Sequence, residues 1–71
     1  MSSVLKSFGN KVRQERLKRK LSREKFAELV GLHRTYIGMV ERGEKNITLK
    51  NTEKITKAFE ISLDELMNLE K

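Results

Sequence analysis

The residues of this chain that could do chemistry are sparse, and they cluster. There is one histidine, no cysteine and a single aspartate, Asp64. No carboxylate pair stands in a glycine-rich or cleft-forming context, so we read the chain as a binding protein and not an enzyme. Without cysteine there is no disulfide and no thiolate metal site, and no metal or other cofactor is expected. What remains is one run, Arg34-Thr35-Tyr36-Ile37-Gly38-Met39-Val40-Glu41-Arg42. A solvated helix would fill such a run with Glu, Lys and Gln. Arg, Thr, Tyr, Gly and Met suit contact with another molecule better.

The elements that position this run follow from its apolar spacing. Within residues 23–42 the apolar positions are Phe26, Leu29, Val30, Leu32, Ile37 and Val40, with Ala27 four residues before Gly31. At the helical period this is a short helix, a tight turn at Gly31-Leu32-His33, and a second short helix from Arg34 to Arg42. Ala27 is small enough for the second helix to cross close over the first. Gly31 can take a positive φ and end the first helix. Ile37 and Val40 turn inward, so Arg34, Thr35, Gly38 and Met39 turn outward. This is the plan of a helix-turn-helix, whose second helix enters the DNA major groove. A plain helical hairpin has the same spacing, and only the outward residues separate the two.

Charge supports a nucleic-acid partner. The net charge is +6, and residues 1–50 hold 13 Lys and Arg against 5 Asp and Glu, whereas residues 51–71 hold 3 against 5. A basic front and a mildly acidic back predict an anionic partner on one side. The basic segments need their apolar sides for a core, which argues against an amphipathic membrane helix. No apolar run reaches spanning length and no secretion signal is visible at the N-terminus, so a cytoplasmic location is expected.

The 71 residues allow one domain, covering 1–71, and its core is marginal without oligomerisation. Five helices are expected. The first spans about Val4 to Lys20, capped by Ser2 or Ser3, with Leu5, Phe8, Val12 and Leu17 inward; Gly9 weakens it. Arg16 falls on the Phe8–Val12 stripe, so it points inward and needs an acidic partner. Ser22 caps the second helix, His33 starts the third, and Gly43 ends it. Thr48 caps a fourth, about Leu49 to Glu60, with Leu49, Thr52, Ile55, Ala58 and Phe59 inward. Ser62 and Glu65 form a capping box for a fifth, about Leu63 to Leu69. Leu63, Leu66, Met67 and Leu69 are more apolar surface than one short helix needs for its own core, so a homodimer interface is expected there, within about 62–69.

This five-helix plan resembles the Cro/CI-type (XRE-like) helix-turn-helix family of phage repressors over roughly Phe8 to Leu69, and its segment Gly31 to Leu49 (GLHRTYIGMVERGEKNITL) is similar to the controller proteins of restriction–modification systems. The resemblance implies an all-α, compact five-helix bundle of the lambda-repressor-like type. It implies base contacts from Arg34 and Thr35 and backbone contacts from Arg23, Tyr36, Arg42 and Asn46; Met39 stands where relatives often carry a polar residue, and its apolar side chain suits a base contact to a thymine methyl instead. It also pairs Arg16 with Glu41. The implied partners are a pseudo-palindromic double-stranded DNA operator, a second copy of the chain and, as a further candidate, RNA polymerase. The function implied is a sequence-specific transcriptional regulator, the controller protein of a restriction–modification system acting as a homodimer on its operator; the alternatives are a phage or mobile-element repressor and an antitoxin-like regulator of the same fold.

Overall fold

A computed structural model describes residues 3–67. It contains five helices: α1 Ser3–Lys18, α2 Arg23–Val30, α3 Arg34–Glu41, α4 Leu49–Phe59 and α5 Leu63–Met67. The fold is all-α, as expected. The expected cap at Ser2 and the expected interface residue Leu69 lie outside the described residues, as does the side chain of Met67.

The helices close on one core. Phe8 and Val12 of α1, Phe26, Ala27 and Val30 of α2, Ile37 and Val40 of α3, Ile55 and Phe59 of α4 and Leu66 of α5 are all buried. Phe26 stacks on Phe59 with ring centroids 4.7 Å apart and planes within 6°. Arg19 also lies over the Phe59 ring, 4.6 Å from its centroid, and donates to the Phe59 carbonyl at 2.8 Å. Its second anchor is Glu15, at 2.8 Å. Glu15 also takes Lys18 at 3.2 Å and Lys11 at 3.4 Å. Burial raises the Glu15 pKa, but the bonds from Arg19, Lys18 and Lys11 outweigh it and leave the carboxyl below its ordinary value.

Three leucine positions depart from the expected pattern. Leu17 is 47% exposed. Adjacent helical residues differ by about 100° in direction, and it is Arg16 that continues the Phe8–Val12 stripe, so Leu17 is carried off it. Leu49 is 81% exposed, because the first residue of α4 lies beyond the edge of the core. Together with Val4, Leu5, Phe8, Ile47 and Leu63 it rims a shallow apolar hollow instead. Leu66 corrects the expected interface: it is fully buried in the chain's own core and has no surface left for a partner. Leu63, 45% exposed, keeps its surface.

Two helix ends differ for one reason. α1 stops at Lys18 and α4 at Phe59, because Lys20 and Glu60 take φ of 56° and 60°. Each turn then ties back: Leu21 N donates to the Arg16 carbonyl and Ile61 N to that of Thr56, both at 3.2 Å. A non-glycine residue in this region costs about 1–2 kcal/mol, and neither turn carries the glycine that would announce it in the sequence.

Candidate nucleic-acid interface

The α2–turn–α3 unit is fixed by its caps. Ser22 Oγ accepts from Lys25 N at 3.0 Å and starts α2. Gly31, at φ 74°, ends it, and its N–H donates to the Ala27 carbonyl at 2.8 Å. Leu32 N reaches the same carbonyl at 3.0 Å. His33 Nδ1 then accepts from Thr35 N at 3.1 Å, so the histidine caps α3. The expected starts at Ser22 and His33 are therefore observed with their bonds.

α3 is held from behind by a buried ion pair. Arg16 Nε lies 2.7 Å from Glu41 Oε2 and its Nη2 3.1 Å from Oε1, a two-pronged contact between side chains that are both buried. Arg16 Nη1 donates to the Leu21 carbonyl at 2.8 Å. One side chain thus ties α1, the α1–α2 turn and the end of α3 together. The inward Arg16 and its pairing with Glu41 are both present.

On the outer side of this pair lies an open groove lined by Ser22, Arg23, Glu24, Arg34, Thr35, Gly38 and Arg42. It runs between the first turn of α2 and the length of α3. Arg34 and Thr35 are exposed in the first turn of α3. Gly38 is the floor and is buried. This corrects its expected open position: a Cβ there would stand 3.3 Å from Arg42 Nη1 and 3.9 Å from Arg23 Cδ. Two arginine side chains, not solvent, cover the glycine.

Each arginine of the groove has a carboxylate beside it. Arg34 Nη1 pairs with Glu24 Oε2. Arg23 Nε lies 3.4 Å from Glu41 Oε1, which joins the groove to the buried pair behind α3. Arg42 Nε lies 3.1 Å from Glu44 Oε2, and that bond raises the arginine pKa further. The Arg34 and Arg42 pairs are exposed and worth about 0–1 kcal/mol each, so a phosphate or a base edge can replace their carboxylates.

The structure brings Arg23, Arg34, Thr35 and Arg42 together. Tyr36 and Met39 are half-buried and lie outside the groove walls, and Asn46 stands on the rim of the apolar hollow with Leu49. Tyr36 packs on the core, and its hydroxyl accepts from Asn51 Nδ2 at 3.1 Å. Sequence reasoning missed three residues here. Asn51 could have been found from its place three residues after the Thr48 cap, which turns it toward α3. Glu24 in the first turn of α2 suits the helix dipole, and that local role hides its position opposite Arg34. Gly9 was read only as a weak point in α1, yet a Cβ on it would overlap the carbonyl oxygen of Val40 and stand 2.6 Å from that of Glu41. Among the described residues no cluster of His, Asp and Glu could hold a metal ion, and no helix is long and apolar enough to cross a membrane.

Known proteins share this fold. The helix-turn-helix family matches residues 12–66. The control protein C.BamHI of Bacillus amyloliquefaciens is 50% identical over 62 residues, 86% of this chain and 76% of that one. The crystal structure of the restriction–modification controller protein C.AhdI from Aeromonas hydrophila superposes with a TM-score of 0.89 at 42% identity, covering 92% of this chain and 98% of that one. The controller protein C.Esp1396I, crystallised as a tetramer with its natural 35 base-pair operator, superposes at 0.84 with 31% identity, covering 94% and 92%.

Proposed function

The chain belongs to the helix-turn-helix family, with the restriction–modification controller proteins among its relatives, and we propose that it is a sequence-specific DNA-binding regulator of a restriction–modification system. The observation that carries this is the groove. Arg34 and Thr35 project from the exposed first turn of α3, and Arg23 and Arg42 flank them. That turn of a recognition helix is the one that meets base edges.

In this reading Arg34 donates to guanine O6 and N7, and Thr35 offers a hydroxyl and a methyl. Met39, half-buried outside the groove walls, offers its apolar side chain to a thymine methyl. Arg23 stands at the N-terminus of α2, where backbone N–H groups and the helix dipole favour phosphate. Arg42, Tyr36 and Asn46 hold the backbone on either side. The protein acts as a homodimer in the cytoplasm and has no catalytic role. Two recognition helices then enter the major groove about 34 Å apart, one DNA turn. The dimer face is centred on the exposed Leu63, Leu49 and Val4. Met67 and Leu69 are assigned to the same interface on their apolar character alone.

The test separates reading from holding. Two duplexes serve: one enriched by the wild-type protein from a randomised pool, and the unselected pool. Arg34→Ala should cost about 1–3 kcal/mol per half-site on the enriched duplex and much less on the pool. Arg23→Ala should weaken both alike and lower the salt slope by roughly 1 per half-site. Equal losses on both duplexes for Arg34→Ala would refute the reading role.

A further inference from the structure

We propose that Glu24 is a positioning residue that sets the groove's sequence discrimination by holding Arg34, an inference that rests on the reading role of Arg34 given above. Glu24 is the second residue of α2 and Arg34 the first of α3, ten positions apart, so their ion pair crosses the turn. The described exposed pairs Lys25–Glu28 and Arg42–Glu44 are local in sequence. Arg23–Glu41 also joins α2 to α3, but its carboxylate is buried; among the described residues Glu24–Arg34 is the pair between these two helices with both side chains more than 60% exposed.

The atoms involved give the pair a direction. Glu24 takes Nη1 of Arg34, and among the described residues Nε and Nη2 donate to nothing in the chain. Those two nitrogens form one edge of the guanidinium, the edge Arg16 uses to grip Glu41 with two bonds. A guanine presents O6 and N7 to such an edge. Glu24 can therefore keep its bond while the free edge reads a base. A guanidinium held at one nitrogen loses less freedom on binding than a loose one.

The same carboxylate opposes the wrong DNA. It lies in a groove that faces a polyanion, beside Arg23 and Arg42. Where no guanine is in reach, Arg34 stays neutralised by Glu24 and lends little attraction to phosphates. Where one is, the guanine bonds offset the carboxylate's repulsion. Discrimination between partners is built in this way from a repulsive element as well as an attractive one.

The experiment measures binding of the wild-type chain, Glu24→Gln, Arg34→Ala and the double variant to the enriched duplex and to the unselected pool. Glu24→Gln should raise affinity for the pool by about fivefold or more without an equal gain on the enriched duplex, so the ratio falls by about fivefold. Adding Glu24→Gln to Arg34→Ala should leave the ratio where Arg34→Ala put it. Glu28→Gln removes a charge from the same helix outside the groove and should leave the ratio unchanged. Equal gains on both duplexes from Glu24→Gln, or a fall in the ratio that persists without Arg34, would overturn the role of Glu24. If Arg34→Ala itself leaves the ratio intact, the reading role of Arg34 fails first, and the two failures are told apart by that one variant.

Discussion

Gly9 of α1 lies directly against the backbone of Val40 and Glu41 at the end of α3, with no room for a Cβ between the two helices. A glycine inside a helix ordinarily costs about 1 kcal/mol relative to alanine. Here it lets α1 approach near enough for Arg16 to reach Glu41. Gly43, at φ 74°, makes a second close approach to α1, where a Cβ would stand 2.8 Å from Lys6 Cγ.

Gly9→Ala should therefore destabilise the protein although alanine is the better helix former. The clash is with backbone carbonyls, which cannot swing aside as a side chain would. A net loss of about 2 kcal/mol is expected, since overpacking costs about 1–3 kcal/mol and sometimes more. Urea unfolding measures it; a gain in stability would mean that α1 and α3 can separate freely.

Glu41→Ala should cost about 3–5 kcal/mol, because it leaves Arg16 buried without its carboxylate. The double variant Arg16→Met/Glu41→Leu should recover at least half of that, since it leaves no stranded charge. Thermal melts of the two single variants and the double variant decide this. An unchanged melting temperature for Glu41→Ala would place Arg16 in solvent.

Glu15 predicts a pH dependence. Its folded pKa is lowered, so its contribution is fully present above the ordinary glutamate value of 4.5 and is lost as pH falls from there through the folded value. Glu15→Gln should lower stability by about 1–2 kcal/mol at pH 7 and by much less at pH 3. Melts of both proteins across this range should converge in acid; a constant gap would locate the effect in packing instead of charge.

Leu63 and Leu66 should fail in different ways. Leu66→Ala opens a cavity in the core and should cost about 2–5 kcal/mol. Leu63→Asp changes an exposed residue and should leave the helical circular dichroism intact while shifting sedimentation equilibrium to the monomer. An unaltered dimer in Leu63→Asp would move the interface away from this face.

Sequence alone determined the parts of this protein that depend on near neighbours in the chain. The caps at Ser22, His33, Thr48 and Ser62 and the turn at Gly31 all form within four residues of themselves, so residue type and spacing suffice to place them. Periodicity likewise turned Arg16 inward and exposed Arg34. Tertiary structure decided whatever depends on how helices distant in sequence meet. The contact of Gly9 with Val40, the burial of Leu66 and the exposure of Leu49 each follow from a crossing point or an edge of the core that no local pattern contains. The same holds for the groove. That Glu24 meets Arg34, and that Arg23 and Arg42 close over Gly38, depends on the angle between α2 and α3. That angle is set by the packing of Phe26, Ala27, Ile37 and Val40 in a core that all five helices build together.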